Sequence, residues 1–159
     1  MPSTVYIETT VPSAHVSTRT DPGSLHRREI TRLRWREQLV RYEVTISDVV
    51  LMELEEGTWP GQSEAIAMVQ PIKSLISDED VRFLAARYIA EQLMPGELLG
   101  DAAHLALSSL HEIEYLLTWN IRHLANPNKV RHLTVINRRL GLFTPQIVTP
   151  EMLWLEDLP

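Results

Sequence analysis

The sequence predicts one α/β domain in which a short, mainly parallel central sheet lies between two layers of helices. The chain has 159 residues, 44% of them hydrophobic and 23% charged, which is typical of a single globular domain. Short apolar runs rich in β-branched and aromatic residues alternate with longer segments of helical periodicity. Because strands separated by helices usually pair in parallel, we expect three α/β/α layers in one domain over residues 1–159.

Five apolar runs are the candidate strands. Residues 3–7 and 42–46 carry β-branched and aromatic side chains, and residues 146–148 form the last run. Residues 115–119 are almost continuously apolar, as expected for a strand that is buried on both faces. Residues 75–76 are a weaker candidate.

Cap signals and apolar spacing define the helices between these strands. Breaks are predicted at residues 12–13 and 21–24. A long helix with a basic outer face is expected between the second break and the second strand. Ser47 and Asp48 are an N-cap signal for a helix that stops at Gly57. Further helices are predicted over residues 62–74 with an interruption at Pro71, over 77–93, from 100, over 128–140 before Gly141, and from 149.

Composition excludes several classes of site. With no cysteine there can be no disulfide, thiolate zinc site, iron–sulfur cluster or cysteine nucleophile, so a metal would be held by oxygen or imidazole. No apolar run is long enough to cross a bilayer, and we expect a cytoplasmic protein. The net charge of −6 argues against nucleic-acid binding by the surface as a whole, although a local basic patch can still bind nucleic acid.

A few polar residues stand where the strands end. Glu8 directly follows the first strand, Asp101 opens a helix, and Asn120 directly follows the run that ends at Trp119. Groups at the carboxyl ends of parallel strands converge on the crevice where the strand order reverses. These three side chains are therefore expected to meet.

Glu53 is the fourth candidate, because it lies beside the apolar stripe of the helix that follows the second strand. An unpaired carboxylate on such a face is costly, and a divalent cation shared with Glu8 and Asp101 would compensate it. Hard oxygen ligands of this kind suit Mg²⁺ or Mn²⁺.

Five motifs, in their order along the chain, resemble the PIN domain and within it the VapC-type toxins of toxin–antitoxin pairs. They are Tyr-Ile-Glu-Thr-Thr at 6–10, Ile-Ser-Asp-Val-Val-Leu-Met-Glu-Leu at 46–54, Gly-Asp-Ala-Ala-His-Leu-Ala at 100–106, Leu-Thr-Trp-Asn at 117–120 and Ile-Val-Thr-Pro-Glu at 147–151. Each motif alone is weak, but together they span nearly the whole chain.

The resemblance implies a PIN-like fold and a ribonuclease that depends on Mg²⁺ or Mn²⁺ and cleaves RNA with activated water. It also implies a cognate antitoxin and a homodimer. Its four site positions fall on Glu8, Glu53, Asp101 and Asn120, the first three as metal ligands. Its supporting small polar positions fall on Thr10 and Thr118.

Two positions depart from the usual pattern, which has Asp at the first and fourth site positions. Glu8 extends its ligand by one methylene, and Asn120 removes one negative charge. We therefore favour one tightly bound metal over two. The alternative is a PIN-fold module that binds RNA or protein but has little or no catalytic activity.

Each residue also has a purely structural interpretation. Glu8 could accept hydrogen bonds from backbone groups near Thr10, Asp101 could cap its helix, and Glu53 could be solvated. His104, one turn after Asp101, lacks the second acid–histidine pair of a di-iron bundle. We expect it to be a packing or hydrogen-bonding residue beside the site.

The segment 19–41 contains several arginines and few acids. Four of its arginines are candidates for binding RNA phosphates or an acidic antitoxin segment, and a solvated helix face is the simpler alternative. These residues are Arg27, Arg28, Arg32 and Arg34. The four tryptophans are scattered, which favours burial over a base-stacking platform.

Overall fold

A computed structural model describes residues 2–156, apart from the side chain of Leu98, and in them five parallel strands form one sheet. The strands are β1 (Thr4–Ile7), β2 (Glu43–Ser47), β3 (Lys73–Leu75), β4 (Tyr115–Leu117) and β5 (Gln146–Val148). Their order across the sheet is β3-β2-β1-β4-β5. Val5 of β1 lies opposite Val44 on one side and Tyr115 on the other. The predicted fold class is confirmed.

Helices connect the strands and flank the sheet. They are α1 (Thr10–His15), α2 (Pro22–Glu37), α3 (Asp48–Glu55), α4 (Gln62–Val69), α5 (Glu79–Ala90), α6 (Leu99–Leu110) and α7 (Pro127–Leu140). Short 3₁₀ turns precede β2 and α6. Within residues 2–156, no helix is both long and apolar enough to span a membrane.

The helix boundaries follow their caps. Ser47 accepts a hydrogen bond from the backbone N–H of Val50 and so starts α3, as predicted. Asp78 likewise caps α5, which begins at Glu79, two residues after the first residue of the predicted helix. Gly141, with a φ of 69°, ends α7 in the left-handed conformation that glycine adopts without strain.

Two predictions near the ends of the chain, one break and one helix start, are wrong. Residues 12–13 do not interrupt the chain but lie inside α1, where Pro12 occupies the first turn and its missing N–H has no intrahelical partner to lose. Residues 149–151 do not start a helix. The backbone only turns there, with the N–H of Met152 donating to Thr149 O, and the Pro150 carbonyl is held by Arg34.

The segment before α5 also differs from the prediction. The helix expected over 62–74 ends at Val69, before Pro71, and Lys73–Leu75 form β3 at the edge of the sheet. Pro71 thus ends the helix instead of interrupting it, because proline cannot supply the next backbone hydrogen bond.

The core lies on both faces of β1. Val5, Tyr6 and Ile7 are all fully buried, which requires helices above and below the strand. The chain runs outward from β1 to β2 and β3 and then returns to place β4 on the other side of β1. The strand order therefore reverses between β1 and β4, where such sheets open a crevice at their carboxyl ends.

Candidate active site

A pocket of about 1010 Å³ opens at the carboxyl ends of β1 and β4. All four site residues predicted from the sequence line it: Glu8, Glu53, Asp101 and Asn120. Glu8 and Asn120 follow the two central strands, whereas Glu53 and Asp101 come from α3 and α6. The topology thus brings together residues that are up to 112 positions apart in the chain.

Glu8 is the deepest of the carboxylates, with 3% of its surface exposed. Its Oε1 accepts hydrogen bonds from the backbone N–H and the hydroxyl of Thr10 and from the hydroxyl of Thr118 at 2.7 Å. Burial raises the pKa of Glu8, although His104 and the two threonines oppose that rise. The two predicted supporting threonines therefore hold Glu8 in place.

Glu53 reaches from the last turn of α3 to a buried histidine. Its Oε1 lies 2.5 Å from His104 Nε2 and accepts a second hydrogen bond from Thr9 at 2.8 Å. Burial alone would raise the pKa of Glu53, but the hydrogen bond and charge of His104 lower it. A Cβ at Gly100 would lie 3.3 Å from Glu53 Oε2, so glycine leaves room for this carboxylate.

His104 is fully buried and connects the pocket to the core. Its Nδ1 lies 2.6 Å from the Tyr6 hydroxyl, which lies 2.7 Å from Ser47 Oγ. Burial alone would lower the pKa of His104, but its hydrogen bond to Glu53 and the surrounding carboxylates raise it. The prediction that His104 is a hydrogen-bonding residue beside the site is confirmed.

The parts played by Tyr6 and Ser47 were missed in the sequence. The sequence patterns place Tyr6 in the first strand and the first motif and Ser47 at a helix cap, but they give neither hydroxyl a partner. A tyrosine on a fully buried strand needs a partner for its hydroxyl, and that requirement was the available signal.

Asp101 and Asn120 face each other across the pocket. Asn120 Nδ2 donates to Asp101 Oδ2 at 3.3 Å, and Asn120 Oδ1 accepts from the backbone N–H of His123 at 3.0 Å. Burial raises the pKa of Asp101, and the charge of Glu53 adds to the rise. Both the nitrogen and the oxygen of the Asn120 amide thus form hydrogen bonds. The difference between this residue and the usual aspartate is therefore more than the loss of a charge.

The carboxylate oxygens of the pocket are ligands of the type that a hard divalent cation prefers. Glu8, Glu53 and Asp101 each have one carboxylate oxygen that accepts no hydrogen bond from any described residue. Burial raises the pKa values of Glu8 and Asp101, and the charge of His104 only partly offsets that rise. However, within residues 2–156 no three Asp, Glu or His side chains stand close enough together to hold a metal ion as they are. The metal site therefore stays a prediction.

The predicted basic residues separate into two groups. Arg28, Arg32 and Arg34 donate to the backbone carbonyls of Ser17, His15 and Pro150, respectively, and so attach α2 to neighbouring segments. Arg27 alone of the four lines the pocket.

Known proteins resemble this chain in fold but not detectably in sequence. No protein-family model matches it, and no curated protein matches it. A chain of the VapBC-5 toxin–antitoxin structure from Mycobacterium tuberculosis is 15% identical, with a TM-score of 0.47 over 74% of this chain and 85% of that one. A chain of VapBC2 from Rickettsia felis, crystallised with a DNA fragment from its promoter, is 10% identical, with a TM-score of 0.53 over 92% and 98%.

A third similar structure has another activity. Tyrosyl-tRNA synthetase from Archaeoglobus fulgidus, complexed with L-tyrosine, is 12% identical, with a TM-score of 0.51 over 93% of this chain and 54% of that one. The chain thus spans about half of the synthetase chain. The fold is the PIN-like α/β/α fold of the VapBC structures. Because proteins of different activity share this sheet architecture, the activity must be argued from the site.

Proposed function

We propose that the protein is a metal-dependent endoribonuclease and the toxin of a toxin–antitoxin pair. The observation that carries the proposal is the convergence of three carboxylates and one amide in a single pocket at the point where the strand order reverses. The nuclease class rests on this donor set. RNA as substrate and an antitoxin as partner rest on the motif resemblance and are supported by the likeness in fold to VapBC2.

In this proposal Glu8, Glu53 and Asp101 hold one Mg²⁺ or Mn²⁺ through the oxygens that lack hydrogen-bond donors. The bound cation supplies the positive charge that makes a water molecule more acidic and offsets charge at the scissile phosphate. The chain's own residues orient the ligands: Thr10 and Thr118 position Glu8, and His104 positions Glu53. The Asn120 amide positions Asp101 from the opposite side.

Replacing Glu53 tests the proposal directly. Purified protein is incubated with single-stranded RNA and Mn²⁺, with Glu53→Gln as the variant and Glu55→Gln, an exposed acid on the same helix, as its matched control. We expect Glu53→Gln to lower the cleavage rate by about 100-fold or more and Glu55→Gln to leave it unchanged. Equal cleavage by all three proteins would refute a role for this pocket.

A non-catalytic binding module is the second candidate. It is favoured by the three hydrogen bonds that Glu8 Oε1 already receives within the protein. RNA binding that is independent of metal, without cleavage by the wild-type protein, would establish this module and exclude the nuclease. The homodimer and the cytoplasmic location also stay proposals, and sedimentation of the purified protein tests the first.

A further inference from the structure

The pocket is lined by residues of both charges. Besides the carboxylates at the ends of β1 and β4, the arginines Arg19, Arg27 and Arg122 line it. In a protein of net charge −6, basic residues in a pocket that also holds carboxylates suggest a binding role. Their ion pairing distinguishes the three arginines, because Arg19 is within 3.5 Å of Asp21 whereas the other two have no acidic partner among residues 2–156.

Arg27 is held in position by an aromatic ring instead of an acid. Its guanidinium carbon lies 5.3 Å from the centre of the Trp119 ring, and the Trp119 indole N–H donates to Thr31 Oγ1 at 2.8 Å. Trp119 is itself buried, so the ring is a rigid support. Stacking on an aromatic face restricts a guanidinium group but leaves its N–H donors free for another ligand.

Arg122 reaches the pocket from the loop that also carries the site. It comes two residues after Asn120, and its exposed side chain has no hydrogen-bond partner among the described residues, although its backbone carbonyl accepts from Asn126. Arg27 and Arg122 thus present unpaired donors from two different segments, α2 and the loop after β4. Two guanidinium groups that line the same pocket favour a ligand with several negatively charged oxygens.

A nucleic-acid backbone matches this arrangement better than an acidic protein segment. Consecutive phosphates carry charge at a regular spacing, so one could lie at the carboxylates, which would hold the cation of the proposed function, while its neighbour lies at the arginines. An acidic peptide would match the arginines but would be repelled by Glu8, Glu53 and Asp101. Ser17 and Ser24 also line the pocket and add hydroxyl groups of the kind that contact phosphates.

We propose that Arg27 and Arg122 bind a phosphate of single-stranded nucleic acid, adjacent to the phosphate at the carboxylates. This inference rests on the proposed nuclease function, to which it adds a substrate-binding subsite. It also assigns Arg27, and not Arg28, Arg32 or Arg34, to the substrate, because those three donate to backbone carbonyls.

The test measures binding without cleavage. A fluorescently labelled single-stranded RNA oligonucleotide is titrated with wild-type, Arg27→Gln and Arg122→Gln proteins in EDTA at several KCl concentrations. Arg36→Gln is the matched control, because Arg36 is an exposed arginine of α2 that pairs with Glu37 and does not line the pocket. Thermal melting confirms that every variant is folded.

We expect Arg27→Gln and Arg122→Gln each to weaken binding about tenfold and Arg36→Gln to leave it unchanged. Each of the first two should also reduce the salt slope of the binding constant by about 0.7, as loss of one phosphate contact to a single strand requires. Arg27→Lys should retain the slope but lose part of the affinity, since an ammonium group cannot contact a phosphate through two parallel donors.

Two results would overturn the subsite. One is equal RNA binding by Arg27→Gln and Arg36→Gln, and the other is that Arg27→Gln weakens binding of a polyglutamate peptide while leaving RNA binding intact. Failure of the nuclease proposal gives a different pattern: Glu53→Gln would cleave as well as wild type while Arg27→Gln still lost affinity in EDTA.

Discussion

The two ends of α6 carry two buried polar clusters that differ in charge. At the far end, Ser109 joins Tyr88 of α5 and Asn137 of α7 in a neutral network. The Tyr88 hydroxyl donates to Asn137 Oδ1 at 2.6 Å, and Asn137 Nδ2 donates to Ser109 Oγ and to the Phe143 carbonyl. Burial raises the pKa of Tyr88 to about 12, so this network has no charge at neutral pH.

At the near end, Asp101 and His104 belong to a charged cluster that opens into the pocket. Here a buried histidine faces Glu53, and each of the three carboxylates keeps one oxygen without a donor among the described residues. The polar groups of the neutral cluster are paired within the protein, whereas the proposed function assigns a bound cation to the charged cluster. Satisfied neutral networks specify packing, and incompletely compensated charges in a cleft mark a functional site.

Breaking the neutral cluster should produce the largest loss of stability. Asn137→Ala removes the shorter hydrogen bond of the buried Tyr88 hydroxyl, which keeps only Ser109 Oγ at 3.2 Å, and the donor to the Phe143 carbonyl. We expect a cost of about 3 kcal/mol in the free energy of unfolding. Urea denaturation measures this cost. Cleavage by the folded variant should equal that of wild type, and a variant of unchanged stability would contradict the structural role of this cluster.

Adding a charge to the acidic cluster should have a smaller effect on stability. Asn120→Asp replaces the amide that donates to Asp101 with a like charge, so we expect the metal-free protein to lose roughly 1 to 2 kcal/mol. Cleavage should fall, because the orientation of Asp101 is lost. Equal or higher cleavage, with a second Mn²⁺ bound, would instead show that Asn120 differs from aspartate at this position only through its missing negative charge.

The pH dependence of stability should be the smallest of these effects. It should come from the charged cluster and not from the neutral one. The pKa of Asp101 is raised in the folded protein, so its contribution is fully present below the unfolded pKa of about 4 and is lost as the pH rises through the folded pKa. In EDTA, Asp101→Asn should therefore gain stability relative to wild type as the pH rises above about 4. A difference that stays constant with pH would contradict this.

The residues of the pocket were easier to predict than the contacts among them. Glu8, Asp101 and Asn120 were found because the carboxyl ends of parallel strands and the adjacent helix starts must meet. The Tyr6–His104–Glu53 connection was not found, since it depends on which side chains face each other across β1, α3 and α6. Pro12 was misjudged because proline breaks a helix only beyond its first turn.

The roles of the arginines required the structure. Sequence spacing shows that Arg27, Arg28, Arg32 and Arg34 share a basic helix, but it cannot show which of them meet a backbone carbonyl. That outcome depends on how α1 and the segment after β5 pack against α2. Short-range patterns thus predicted the elements and the edge of the sheet where the site lies, while long-range packing decided the partners.

Calorimetric titration with Mn²⁺ tests the central claim most directly, because the proposed function requires that the charged cluster bind a cation. We predict one binding event in the wild-type protein, its loss in Asp101→Asn, and its retention in Asn137→Ala at a temperature where that variant is folded. At a Mn²⁺ concentration 100 times its dissociation constant, binding should stabilise the wild-type protein by about 2.7 kcal/mol. The same binding heat in Asp101→Asn as in wild type, or none in wild type, would contradict the account.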